Sequence, residues 1–154
     1  MRRIVAAILL TVLSASTTVS AQSRTVAVRN NGNDLLYIEA SVSGYRMDNV
    51  IVDTGSNKSL LSYTDYVEMK RRGIISRDNF AGYVNIRTSA NTVARRESYR
   101  VDGFEFLGFR LDNVVVIFDT SSKSSRTRII GMNILGQFDK IEYSPKRKEL
   151  TVSL

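Results

Sequence analysis

The sequence predicts a mostly β domain, closed or barrel-like, carrying one or two short helices. Two observations carry this. Short runs of β-branched and aromatic residues recur along the chain, separated by Gly, Asn, Asp, Ser and Pro turn signals. Before residue 130, a single segment has a convincing helical start, period and stop.

Thr25 to Val28 and Leu35 to Val42 read as strands, with an Asn30-Asn31-Gly32-Asn33 turn between them. Gly44 punctuates, and Met47 to Asp53 is a third strand, its end marked by the apolar pair Ile51-Val52. Ser62 can cap a helix from Tyr63 to Arg72, with Asp65 in its first turn, basic residues in its last and Gly73 just beyond. Tyr83 to Arg87 alternates as a half-buried strand does. Ser89-Ala90-Asn91-Thr92 then forms a hairpin tip, and Val93 to Val101 returns. Asp102-Gly103 is a two-residue turn leading to Phe104-Glu105-Phe106. Val114 to Phe118 is a buried strand, and Ser121 to Thr127 a polar, Ser-rich loop. Ile141 to Tyr143 and Glu149 to Val152 flank Ser144-Pro145-Lys146 as a closing hairpin.

Residues 1–21 stand apart from this domain. Arg2 and Arg3 precede an apolar run from Ile4 to Leu13, and a small, polar stretch ends at Val19-Ser20-Ala21. This is a signal-peptide layout, with cleavage expected between Ala21 and Gln22 and export to the periplasm or the outside. The run falls well short of the roughly 20 apolar residues of a membrane span, so no stable span is expected once the signal is removed. Residues 22–154 are then a single domain.

The chain has 22 basic and 15 acidic residues. Removing residues 1–21 takes away two arginines and no acids, leaving a net charge of +5. The basic residues are scattered, without a stripe interleaved with aromatics, so nucleic acid is not an expected partner. There is no Cys and no His. Disulfides, thiol nucleophiles, Ser-His-Asp triads and His- or Cys-based zinc sites are therefore excluded. The acids show no calcium-loop spacing, and no metal or organic cofactor is implied. A hydrolase built from this chain must use carboxylates, Lys or Tyr.

Val50-Ile51-Val52-Asp53-Thr54-Gly55-Ser56 places an acid directly after an apolar strand, where a glycine lets the backbone turn sharply. A second segment, Arg128-Ile129-Ile130-Gly131-Met132-Asn133-Ile134-Leu135, has two apolar residues and a glycine, followed by an apolar helical stretch. Together, in this order, they resemble the motifs of the retropepsin-like aspartic protease family, in its bacterial, single-domain, Asp-Thr-Gly form. The resemblance spans residues 35–154. It implies a closed barrel of the retropepsin (acid protease) type, acting on peptide or protein substrates.

By this resemblance, Asp53 is the catalytic carboxylate and Thr54, Gly55 and Ser56 complete its loop. Thr54 is similar to the residue that braces the opposite loop across a dimer. Ser56 is similar to the serine that bonds a catalytic carboxylate in the pepsin branch. Ile129, Ile130 and Gly131 would cross behind the loop. Arg87, Thr88, Ser89, Ala90 and Asn91 would form the substrate-covering flap, although they lack the family's usual run of glycines. Asn91 tolerates a left-handed backbone, which leaves room for a tight tip.

Asp-Thr-Gly occurs once; Asp119-Thr120 is followed by Ser121. Aspartic protease chemistry needs two carboxylates sharing a proton, so one copy per chain predicts a homodimer with an Asp53 from each subunit. In the retropepsin pattern terminal strands build the dimer sheet, which makes Glu149 to Leu154 a candidate contact. Three other readings compete. One is an inactive binding module of the same fold. Another is an exported β-rich structural protein in which Asp53 only caps a turn. The third, a Ser–Lys hydrolase using Ser56 or Ser59 with Lys58, is the poorest of them.

Overall fold

The computed structural model describes residues 22–29, 35–87, 91–121 and 123–154. The expected signal segment, the expected turn at Asn30 to Asn33, and the flap residues Thr88, Ser89 and Ala90 lie outside the described residues. In chain order the strands are β1 (Ser23–Ala27), β2 (Leu36–Val42), β3 (Tyr45–Val52), β4 (Leu60–Leu61), β5 (Phe80–Arg87), β6 (Val93–Val101), β7 (Phe104–Phe106), β8 (Phe109–Leu111), β9 (Val114–Phe118), β10 (Ile129–Ile130), β11 (Lys140–Ser144) and β12 (Glu149–Ser153). Helix α1 (Tyr63–Arg71) follows β4, and the short α2 (Met132–Leu135) follows β10.

Local signals account for most of these ends. Ser43 and Gly44 both have positive φ, as the tight turn joining β2 to β3 requires. Ser62 caps α1: its hydroxyl accepts from the Asp65 N–H, and the Asp65 carboxylate accepts from the Ser62 N–H at 2.9 Å. Gly73, at φ +70, ends that helix in the left-handed conformation.

Nine strands form one sheet in the order β5-β6-β9-β4-β10-β3-β2-β7-β8. Its end strands, β5 and β8, do not pair with each other, so the sheet is a half-barrel and the expected closed barrel is not seen. The fold is otherwise mostly β with two helices, as expected. The Asp102-Gly103 turn is present, but it does not make a hairpin of β6 and β7. Instead β7 pairs with β2, Phe104 opposite Val42 and Phe106 opposite Ala40. Phe104 and Phe106 are fully buried there, and the area they remove from water outweighs the short-range pairing that the turn would permit.

The remaining strands form a second sheet in the order β1-β12-β11. Strand β12 is its centre, with Leu150 opposite Val26 on one side and Tyr143 on the other. Both edges of β12 are therefore used within the chain. Glu149 to Leu154, the candidate dimer contact, therefore has no unpaired strand edge of its own among the described residues. Leu150 and Val152 turn inward and join the core with Ile141 and Tyr143, which ties this small sheet to the larger one.

Candidate active site

Asp53 sits directly after β3, and long-range pairing holds its position. Strand β10 runs parallel to β3, with Ile129 opposite Ile51 and Ile130 opposite Val52. The Ile51 N–H donates to the Arg128 carbonyl at 2.9 Å and the Asp53 N–H to the Ile130 carbonyl at 3.0 Å. On its other side β10 meets β4 through Ile129 and Leu60, and β4 runs parallel to β9. The apolar-apolar-glycine segment thus lies inside the sheet, wedged between the strand that ends at Asp53 and the strand that follows the Asp53 loop.

The loop folds onto this support. Gly55 donates its N–H to Asp53 Oδ1 at 2.9 Å, and the Ser56 N–H reaches the Asp53 carbonyl at 3.3 Å. The Met132 N–H donates to the Ser56 carbonyl at 2.7 Å, which stitches the start of α2 to the loop. Gly131 has ordinary extended backbone, so its need for glycine is spatial. A Cβ there would lie 2.5 Å from the Lys58 carbonyl oxygen and 2.6 Å from that of Ser56. Ser59 completes the contact from full burial: its hydroxyl accepts from the Gly131 N–H at 3.0 Å and donates to Asn133 Oδ1 at 2.8 Å. Asn133 in turn donates to the Val115 carbonyl at 2.8 Å, which links the loop to β9.

Asp53 is half-buried, whereas Thr54 and Gly55 are exposed. The Ser56 hydroxyl donates to the Lys58 carbonyl at 2.7 Å, so it closes its own turn and does not bond the Asp53 carboxylate. With Ser56 and Ser59 both committed to structural hydrogen bonds, neither is presented as a nucleophile for Lys58. A groove of about 830 Å3 opens elsewhere, between β1, β2 and β7 (Ala27, Glu39 and Glu105 among its walls), and does not include the Asp53 loop.

The hairpin β5–β6 stands at one end of the large sheet, with Arg87 opposite Val93 at its tip. Asn91 has φ +60, the left-handed conformation that asparagine tolerates, and its side chain accepts from Arg87 Nη1 at 3.1 Å. At the base of the hairpin, Glu97 accepts from the Tyr66 and Tyr99 hydroxyls at 2.9 and 2.6 Å, which fastens β6 to α1.

Two carboxylates that the sequence did not mark as important prove structurally central. Asp65, fully buried, accepts from the Tyr45 hydroxyl at 2.8 Å, the Ser62 hydroxyl at 2.6 Å, and Arg128 Nε and Nη2 at 2.8 and 2.7 Å. Burial alone would raise the Asp65 pKa; the bonds from Arg128 and Ser62, the Arg128 charge and the Tyr45 hydroxyl together bring it below the ordinary value. Burial, then the Asp65 partner, pushes the Tyr45 hydroxyl up to about 12. Arg128 also donates to the Asp48 carbonyl of β3 at 2.8 Å. The ion pair therefore clamps α1, β3 and the start of β10 beneath the Asp53 loop. The Asp65 signal in the sequence was its place three residues after a capping serine, which marks a helix start and says nothing of Arg128.

The second is Asp119, just after β9. Its N–H donates to the Leu61 carbonyl at 2.8 Å. The bond repeats, on the β4–β9 pair, the one Asp53 makes with Ile130 on the β3–β10 pair. Its carboxylate, however, is taken by Arg96 Nε at 3.0 Å and the Ser121 hydroxyl at 2.7 Å. Asp119 is thus the internal counterpart of Asp53 in position, with its acid spent on a part-buried ion pair. Among the described residues, no group of three or more acids is placed to hold a metal ion, and no helix is long and apolar enough to cross a membrane.

No protein-family model matches the chain, and no curated protein matches it in sequence. Solved structures do match in shape. The crystal structure of a retropepsin-like aspartic protease from Rickettsia conorii superposes with a TM-score of 0.60 at 15% identity, covering 87% of this chain and 93% of that one. The retroviral protease-like domain of Ddi1 from Leishmania major is a more distant neighbour, with a TM-score of 0.46 and 19% identity, covering 77% of this chain and 87% of that one. The described residues thus have the fold of the retropepsin-like aspartic proteases.

Proposed function

We propose that the protein is an aspartic endopeptidase whose catalytic pair is formed by Asp53 from each of two identical subunits. The observation that supports this most directly is the seating of Ile129-Ile130-Gly131 behind the Asp53 loop, with β10 parallel to β3 and the Asp53 N–H bonded to Ile130. A turn-capping aspartate in an unrelated β protein gives no reason for that arrangement. The occupied state of Asp119 fits the same reading, since the chain then has one candidate acid to contribute.

In this mechanism the two Asp53 carboxylates lie too close for both to ionise cheaply, so they share one proton. The ionised member takes a proton from a bound water as that water attacks the peptide carbonyl. The protonated member hydrogen-bonds the carbonyl oxygen and then helps protonate the leaving amine. The Gly55 N–H on Asp53 Oδ1 orients the carboxylate. In this reading Thr54, exposed at the same turn, braces the partner loop, and Ser56 shapes its own loop through the Lys58 carbonyl. The β5–β6 hairpin serves as the flap over an extended peptide.

Cleavage of a diverse peptide library by the protein and by Asp53→Asn, from acidic to neutral pH, tests the reading. Cutting by the parent alone, blocked by a statine-type inhibitor, is the expected result. Absence of cutting where a dimer is demonstrably present would instead mark a binding module of the same fold. Export is proposed on the signal layout of residues 1–21; N-terminal sequencing of the protein recovered outside the cytoplasm should begin at Gln22.

A further inference from the structure

We propose that Arg96 and Asp119 form a latch that fixes the angle at which the β5–β6 hairpin leaves the large sheet, which makes both of them positioning residues for the flap. The proposal rests on the aspartic protease reading, which gives the hairpin its work as a flap. It assigns a use to Arg96, one of the two charged side chains that are buried among the described residues; the other is Asp65.

Strand β6 pairs with β9 from Glu97, opposite Phe118, to Val101, opposite Val114. Its pairing with β5 runs further, as far as Val93, opposite Arg87. Residues 93–96 of β6 and 84–87 of β5 thus form a two-stranded ribbon beyond the sheet, with no other strand beside them among the described residues. A ribbon of two strands is marginally stable by itself and twists strongly, so its direction depends on what grips its root. Arg96 is the first residue of β6 past the sheet. Pleating puts its side chain on the face of Val84, Ile86 and Ala94, all half-buried. Tyr83, Asn85, Arg87 and Arg95 lie exposed on the other face.

The acid that follows β9 grips this root. Arg96 Nε donates to Asp119 Oδ1 at 3.0 Å and Nη2 to the Ser121 hydroxyl at 2.5 Å, and that hydroxyl donates to Asp119 Oδ1 at 2.7 Å. Nη1 donates to the Arg95 carbonyl at 3.1 Å, so the guanidinium fills the fork between the ribbon and the loop after β9. The two side chains are only 10% and 18% accessible, and solvent ions screen the pair little. Burial alone would raise the Asp119 pKa; the Ser121 and Ser125 hydroxyls and the Arg96 charge bring it below the ordinary value, so the pair stays charged in mild acid. The acid is itself held in place, because the Asp119 N–H bonds the Leu61 carbonyl as the Asp53 N–H bonds that of Ile130. The same backbone device that presents one acid for chemistry thus presents its counterpart to the flap. Glu97, on the opposite face, accepts from Tyr66 and Tyr99, but it still lies within the β6–β9 pairing and fastens the sheet, not the ribbon.

Two variants separate holding the hairpin from holding the fold. Arg96→Met combined with Asp119→Asn removes both charges and keeps the space filled, so no buried charge is left alone and Tm should stay within about 3 °C of the parent. Amide exchange, measured on an Asp53→Asn background to prevent self-cleavage, should be about tenfold or more faster over residues 84–87 and 93–96 and unchanged over residues 115–118 of β9. With Asp53 intact, KM for a peptide should rise about fivefold or more with kcat little changed, because the flap holds the bound peptide before and during reaction alike. Asp119→Asn alone keeps an oxygen toward Arg96 and should show the same pattern with smaller factors, which guards against misfolding of the double variant. Hairpin amides that exchange as in the parent, one common acceleration of hairpin and β9, or a fall in kcat with KM unchanged would overturn the proposal. If the exchange pattern appears while the parent cuts no peptide, the latch stands as the anchor of the hairpin and the protease reading fails. If the parent cuts peptides and the exchange pattern is absent, the protease reading stands and the latch falls.

Discussion

Replacing Asp65 with alanine removes the acceptor on which Arg128, Tyr45 and Ser62 converge. Breaking a buried ion pair costs about 3–5 kcal/mol, chiefly because the surviving charge is left without a partner. Arg128 keeps about a fifth of its side chain accessible, which places the cost near the lower end, about 3 kcal/mol. Loss of the carboxylate half of the capping box adds about 1 kcal/mol. The total of about 4 kcal/mol is a large share of the 5–15 kcal/mol typical of a domain, and should lower Tm by about 8–16 °C. The effect has a definite place. Amide exchange at Ile51 and Asp53, whose N–H groups bond the Arg128 and Ile130 carbonyls, should accelerate more than at Ile117, bonded to Ser59 on the far strand pair. It also has a definite pH dependence. Because the folded-state pKa of Asp65 lies below the ordinary 3.8, its contribution is complete above that value and is lost as pH falls through the depressed one. The gap in Tm between parent and variant should therefore hold from neutral pH to the ordinary value and narrow below it. Calorimetry across that range, with exchange measured at neutral pH, checks all three points. A Tm change under about 3 °C, or a gap that ignores acid, would refute the clamp.

Two further substitutions probe the support behind Asp53. Gly131→Ala should lower Tm sharply and, on the protease reading, abolish cleavage, because its Cβ would meet backbone oxygens of both Ser56 and Lys58 and neither can swing aside as a side chain could. Parent-like melting and activity would show that the loop has slack the geometry does not indicate. Ser59→Ala leaves the Gly131 N–H and Asn133 Oδ1 without their partner, at a cost of about 1–3 kcal/mol for each buried group, measurable by denaturant unfolding. On the protease reading, the fall in stability should come with a fall in kcat larger than any rise in KM, since these buried bonds act by holding the Asp53 loop.

The candidate site was legible where its chemistry is local. An acid after an apolar strand, followed by Thr54 and Gly55, is a contiguous pattern, and Ile129-Ile130-Gly131 is another. The same holds for the caps of α1 and the break at Gly44, because each depends on the φ preferences and hydrogen bonds of a few neighbouring residues. The short strands β4 and β8 went unread, since two or three residues leave no period to detect.

What tertiary structure decided was which segments meet. The Asp102-Gly103 turn looked like a hairpin, yet Phe104 and Phe106 drew β7 to β2. The terminal strand gave no sign in the sequence that β1 and β11 would enclose it. Asp65 and Arg128 lie 63 residues apart, and neither position by itself predicts a buried pair. Such choices depend on how much apolar surface each pairing removes from water and on whether every buried polar group finds a partner, quantities set by the whole packed chain and absent from the periodicity of any one stretch.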